Sequence, residues 1–317
     1  MRVLVTGAFG FMGGRLSQHL LSVGHQVLLG SRVAHETPDW CQGAHVVKTD
    51  WNDEPGLRSV CRSMDVVIHA SGMNAQDCAK DAVAALQHNG VATASLARAA
   101  AAVGVQRFIY LSTAHVYGSP LVGYLDEDAL PGNLHPYATS HLAGEKATLY
   151  EGRNGMDTVI LRLSNAFGRP VTEDVNCWML LVNDLCRQAV VAGELKLQTS
   201  GMQMRDFVPI SEVCRLVENL LGKTNPRSPH SLVNVGAGVS MSVREMAERI
   251  GLRCNLTLGF EPALIVPQPG LEAPTDGFSY SIARLEDFQM SMDPNPDAEL
   301  DDLLRFCQLQ FGKGSQP

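Results

Sequence analysis

The chain has 317 residues, 45% of them hydrophobic, 18% charged and 6% aromatic. This is an ordinary globular composition, long enough to bury a core of mainly Ala, Val and Leu without disulfides or metals. Lys and Arg number 25 against 33 for Asp and Glu, a formal net charge of −8, which argues against a nucleic-acid or anionic-membrane surface but leaves room for a local basic site for a phosphate.

The eight cysteines contain no C-x-x-C pair, so free thiols in a reducing compartment are expected, with no metal site. Met1 leads directly into "RVLVTGAFG" with no charged leader, apolar h-region or cleavage site, and a cytoplasmic location is expected. The longest apolar run, "VATASLARAAAAVGV", is interrupted by Arg98. It reads as a packed helix, and no membrane insertion is expected.

Short β-branched runs alternate with helical patterns in chain order: "RVLVT", "GGRLSQHLLSVG", "HQVLLG", "AHVVKTD", "MDVVIHA", one long helix over 79–103, "RFIYLS", a helix from 137, and "TVILRL". That alternation predicts an α/β fold, a Rossmann-type doubly wound parallel sheet over residues 1–165. Beyond it, more frequent Pro and Gly predict a smaller mixed α/β domain over 166–310. Residues 205–238 are expected to return to the first domain as further strands and a helix, and 311–317 to form a tail.

"VTGAFGFMGGRL" places Gly7, Gly10 and Gly13 between a strand and an amphipathic helix. Amides at such a helix N-terminus can face a pyrophosphate, and glycines permit the close approach. At the end of the second strand an NAD-binding chain usually carries an acid, whereas "VLLGSRVAH" offers Ser31 and Arg32. A hydroxyl and a guanidinium suit a 2′-phosphate, so NADP(H) is favoured over NAD(H). Asp50 and Trp51 end the third strand, where an acid can accept from an adenine amine and the next side chain can cover the ring; either can also be a plain loop residue.

Taken together, "TGAFGFMG", "LSTAHVYG", "PYATSH", "LRLSNAFGRP", "RDFVPISEV" and "NVGAGVSMSVREMAERI" occur in an order that resembles the extended short-chain dehydrogenase/reductase family of sugar-nucleotide epimerases, dehydratases and reductases. The resemblance implies a nucleotide-sugar substrate. It implies that Thr113, with Ser112 as the weaker candidate, orients the substrate oxygen, and that Tyr137 exchanges the proton. It also implies cofactor contacts at Phe11, Met12, Ala70 and Leu163, support of the cofactor region by Asn89, and a hold on the substrate diphosphate by Asn165 and Arg205. Homodimers through the long helices, here 79–103 and 137–152, are a further implication, although Ala-rich faces also pack within one subunit.

Two departures stand out. The dehydratases carry an Asp-Glu pair where this chain has Ala114 and His115, which speaks against a 4,6-dehydratase; His115 is left as a substrate-side residue that either transfers a proton or merely packs at the cleft. And the family's Y-x-x-x-K is Y-x-x-x-H: His141 stands in the lysine's place. Four helical residues put Tyr137 and His141 on one face, so imidazole can still donate to a ribose hydroxyl, but it is largely neutral in the cytoplasm. Lys146 lies nine residues on from Tyr137, at about 100° per residue on the opposite side of the helix. A cation about 4 Å away is worth roughly 4 kcal/mol at an effective dielectric of 20, or about three pKa units of the phenol.

Oxidation of a hydroxyl needs tyrosinate, whereas reduction of a ketone needs the neutral phenol. The expected activity is therefore NADPH-dependent reduction of a nucleotide-diphospho-4-keto-6-deoxysugar, GDP-, dTDP- or UDP-linked, in surface polysaccharide or deoxysugar synthesis. An NAD-dependent sugar-nucleotide epimerase is the first alternative, and a weakly active or non-catalytic NADP(H)-binding relative the second.

Overall fold

The computed structural model describes residues 1–222, 231–267, 277–293 and 295–312. The strands are β1 (Arg2–Thr6), β2 (Gln26–Ser31), β3 (His45–Lys48), β4 (Val66–His69), β5 (Arg107–Thr113), β6 (Gly123–Leu125), β7 (Asp157–Leu163), β8 (Asn165–Phe167), β9 (Glu194–Lys196), β10 (Met204–Pro209), β11 (Leu232–Val235), β12 (Ser240–Ser242), β13 (Ala263–Ile265) and β14 (Phe278–Tyr280). The α-helices are α1 (Phe11–Ser22), α2 (Glu54–Cys61), α3 (Ala75–Lys80), α4 (Ala82–Ala85), α5 (Ala92–Ala102), α6 (Pro136–Gly152), α7 (Leu181–Ala192), α8 (Ile210–Gly222), α9 (Val243–Leu258) and α10 (Asp297–Phe311).

Seven strands form one parallel sheet in the order β11-β7-β5-β4-β1-β2-β3. Strands this uniformly apolar need helices on both faces, and β4 and β5 are buried at every residue. The order reverses between β1 and β4, so the crevice at the carboxyl ends of those strands is the natural ligand site of such a sheet. One face packs α1 and α8 around Leu16, Leu20, Ile109, Val213 and Val217; the other packs α2 and α5 around Leu57, Leu96, Phe108 and Ile160.

A second hydrophobic cluster joins α7, α9 and α10 through Leu185, Met246, Ile250, Leu303 and Leu304. Buried Glu299 of α10 ties this cluster to the sheet: its carboxylate pairs with Arg15 of α1 at 3.1 Å and accepts from the Arg169 and Ser211 amides.

The structure differs from the sequence reading in two elements. The single helix expected over 79–103 is interrupted: Asp81, at φ −143°, ends α3 and caps α4, and residues 86–91 run as a π-helical segment into α5. Asp81 accepts the Ala84 amide, so a local side-chain cap wins over the Ala-rich helical propensity around it. Residues 205–238 divide between sheets. Of their two strands only β11 joins the main sheet, while β10 pairs with β8 and β12 in a separate three-stranded sheet; Asp206 pins it there, accepting from Ser164 Oγ and from the Ala237 and Gly238 amides. All eight cysteines are buried and unbridged. No helix among the described residues is long and apolar enough to cross a membrane; of the tail expected at 311–317, Phe311 instead ends α10, and 313–317 lie outside the described residues.

Candidate active site

The β1–α1 turn is built as a phosphate cradle. Gly7 takes φ +69°, and a Cβ there would sit 2.7 Å from the Ala70 carbonyl; a Cβ on Gly13 would sit 2.2 Å from the Gly7 carbonyl. Only glycine lets β1, the helix and the end of β4 approach this closely. Gly10 caps α1 with no side-chain hydrogen bond, leaving first-turn amides for an anion at the positive end of a 12-residue helix. These features fit a dinucleotide pyrophosphate.

Phe11, Met12, Thr113, His115, Tyr137, Leu163, Asn165 and Arg205 line one cleft of about 320 Å³. They come from five separate places in the chain, gathered by the ends of β1, β5 and β7, the start of α6, and β10. Pro136 at the first turn of α6 and His135, whose Nδ1 accepts the Tyr137 amide, fix where that helix begins and hence where Tyr137 stands.

Thr113 and Ser112 divide their roles. Thr113 hydrogen-bonds the Tyr137 phenol and accepts the His115 amide at 3.1 Å. Ser112 donates to Glu145 at 2.5 Å, and Glu145 is held by a two-pronged ion pair with Arg162, both buried. Its hydroxyl is committed to that pair. Burial raises the Tyr137 pKa, partly offset by the Thr113 hydrogen bond, so the phenol rests protonated.

His141 is 6% exposed and lies edge-on to Tyr137, ring centroids 4.6 Å apart. Burial pushes its pKa down to about 4, so the ring is neutral. Its Nδ1 sits 2.9 Å from the Tyr110 hydroxyl. Lys146 is exposed, and Arg205 is the one Lys or Arg among the described residues that lines the cleft. Arg205 pairs with no carboxylate among the described residues; burial lowers its pKa, and its charge adds to burial in lowering that of His115. The Asn165 amide nitrogen donates to the Asp206 carbonyl at 2.9 Å.

Asn89 is fully buried, in the π-helical segment. Its side chain accepts the Met73 amide at 2.7 Å and donates to Ser140 Oγ at 3.0 Å, clamping the loop after β4 to α6. It braces the site rather than lining the cleft. Ala70 opens that loop, half-buried beside Gly7.

The adenine-side residues are more dispersed. Ser31 accepts the Val33 amide, and Arg32 is exposed with no carboxylate partner among the described residues. Asp50 accepts the Asn52 amide and lies 3.6 Å from Lys48. Trp51 is half-buried, edge-on to His69 at 5.7 Å and packed against the cluster that holds Leu57, Leu96 and Phe108. The sequence reading has it as an adenine cover or a plain loop residue; its indole Nε1 is without a hydrogen-bond partner among the described residues.

Tyr110, His69, Glu145 and Arg162 were not among the residues singled out from the sequence. Each sits in a run that reads as plain strand or helix interior, and nothing in its spacing marks it.

The NAD dependent epimerase/dehydratase family model matches residues 3–236. A dTDP-glucose 4,6-dehydratase of Streptomyces niveus is 26% identical over 301 residues, covering 89% of this chain and 84% of its own. A UDP-glucose 4-epimerase of Streptomyces lividans is 26% identical over 310 residues, covering 90% and 93%. The fold is also that of the UDP-glucuronic acid 4-epimerase of Bacillus cereus, solved with NAD, at a TM-score of 0.79 and 22% identity over 98% of this chain and 100% of that one. With a glycine-built β1–α1 turn, a proton-bearing tyrosine and a family model that spans most of the chain, the protein belongs to the NAD dependent epimerase/dehydratase family, of the extended short-chain dehydrogenase/reductase fold.

Proposed function

We propose that the chain reduces a nucleotide-diphospho-4-keto-6-deoxysugar with NADPH, in surface polysaccharide or deoxysugar synthesis. The observation that carries the reductive direction is the state of Tyr137: its phenol is desolvated, its pKa is raised, and the ring one turn away is a neutral imidazole. Such a phenol is ready to give a proton and poorly placed to take one.

A bound dinucleotide supplies the hydride. Thr113 holds the carbonyl oxygen and Tyr137 donates to it as the carbinol forms. Arg205, without a carboxylate partner among the described residues, takes the substrate diphosphate with the help of Asn165, and His115 stands on the same substrate side. In this reading residues 1–165 hold the dinucleotide and 166–310 mainly hold the sugar nucleotide. Arg32, exposed beside Ser31, is the support for a 2′-phosphate. The exposed apolar side chains Val83, Leu86 and Val91, with Tyr150 on α6, support a homodimer through these helices, in the cytoplasm.

The relatives favour a second reading, an NAD-dependent sugar-nucleotide epimerase. An epimerase stands among the sequence matches, and the Bacillus cereus neighbour was solved with NAD, which leans against the NADP preference. The two readings separate in one experiment. The purified protein is analysed for bound dinucleotide, then given 4-keto and hydroxy sugar nucleotides with NADPH. Stoichiometric NADPH consumption with the ketone supports reduction; tightly bound NAD⁺ with interconversion and no net consumption replaces it with epimerisation.

A further inference from the structure

His141 has one ring nitrogen satisfied and one open. The Tyr110 hydroxyl has a single proton to give, with His141 Nδ1 at 2.9 Å, the Asn89 carbonyl at 3.5 Å and the Thr93 hydroxyl beside it. The Asn89 carbonyl already accepts the Thr93 hydroxyl at 2.6 Å. The neighbouring His69 spends both nitrogens on Thr6 and Thr93, at 2.6 and 3.0 Å. His141 Nδ1 is nearer than the Asn89 carbonyl, and a neutral ring whose Nδ1 accepts the Tyr110 proton carries its own on Nε2.

Nε2 has no hydrogen-bond partner among the described residues. It faces Gly72 in the loop after β4, where a Cβ would lie 3.7 Å from Nε2 and 3.3 Å from Asn89 Oδ1. A glycine at that point keeps the ground before Nε2 clear, next to the end of β4 where the sheet's order reverses.

We infer that Tyr110 is a positioning residue that locks His141 as the Nε2–H tautomer, so that the ring presents a fixed, uncharged donor beside Gly72 to a hydroxyl of the bound dinucleotide. This rests on the dinucleotide reading of the cleft but not on the direction of catalysis. A lysine needs no such lock, because an ammonium donates from every face. An imidazole does, because one of its nitrogens must accept.

The test is a pair of measurements on the full chain. Nitrogen-15 NMR of the imidazoles is expected to show His141 protonated on Nε2 in the wild type and a mixture of tautomers in Tyr110→Phe. Titration with NAD⁺ and with NADPH, without sugar nucleotide, is expected to show binding about three- to tenfold weaker in Tyr110→Phe, the loss of one oriented neutral hydrogen bond. In the His141→Gln background, where no tautomer exists, adding Tyr110→Phe is expected to change binding less than about twofold. Should Tyr110→Phe fold poorly, the wild-type nitrogen-15 spectrum still decides the tautomer by itself. A wild-type ring protonated on Nδ1, or equal binding losses in both backgrounds, overturns the inference. A wild type that binds neither dinucleotide overturns it by removing the cofactor reading of the cleft. An epimerase outcome in the turnover experiment leaves it standing.

Discussion

Tyr137 and His141 meet edge to face on one side of α6, ring centroids 4.6 Å apart and planes at 68°, with no cation between them. The phenol thus loses the electrostatic help that an ammonium would give, and keeps its proton. Tyr137→Phe removes the proton donor while preserving the ring's packing. Turnover is expected to fall by about 10²- to 10⁴-fold, the range of one general acid, while dinucleotide binding stays within about twofold. Steady-state kinetics paired with a cofactor titration checks this; turnover that survives the substitution excludes the phenol as acid.

His141→Lys restores the cation one turn from the phenol. An ammonium at about 4 Å lowers the phenol pKa by as much as about three units, so the acid limb of the pH profile for alcohol oxidation is expected to move to lower pH. Oxidation at neutral pH is kept or improved. Because the site is 6% exposed, the variant is also expected to lose thermal stability, and its melting temperature is followed in parallel. A folded variant that loses both directions equally shows that the imidazole has a role an ammonium cannot fill.

How far the sequence reached depended on whether a feature is local. The glycine turn, Thr113, Tyr137 and the succession of strands in the first half are written in short contiguous patterns, and the structure puts Thr113 and Tyr137 in one cleft with Phe11 and Met12 of the helix that the glycine turn opens. Tyr110 and His69 were illegible because each occupies an all-buried strand, where an aromatic or a histidine looks like any core residue. Asp81 breaks the expected long helix through one cap that the Ala-rich surroundings disguise. β10 leaves the main sheet because Asp206 finds partners at 164, 237 and 238, contacts far apart in sequence.

Arg205→Ala tests the substrate side of the cleft. The guanidinium lines the pocket with no carboxylate partner among the described residues, so removing it breaks no ion pair within them. If it holds the substrate diphosphate, the KM for the sugar nucleotide is expected to rise about ten- to a hundredfold, as for loss of a charge-assisted hydrogen bond. Dinucleotide affinity should be unmoved. Kinetics and calorimetric titration together check the split; an unchanged KM returns Arg205 to a purely structural role.

The two buried histidines make the fold sensitive to acid. Burial holds His69 down to about 3, helped by the nearby His141, and His141 to about 4, against an ordinary 6.5. Between pH 6.5 and 4 the unfolded chain therefore binds protons that the folded chain refuses, so stability falls as pH drops through that window and is flat above about 7 from these groups. At pH 5 each ring costs about 2 kcal/mol relative to neutral pH. Urea unfolding between pH 7.5 and 5 is expected to show that decline, and His69→Asn to reduce its slope by about half, whatever its own effect at neutral pH. Stability that is level across the window means the two rings take up protons without unfolding, and the uncharged state assigned to His141 is then wrong.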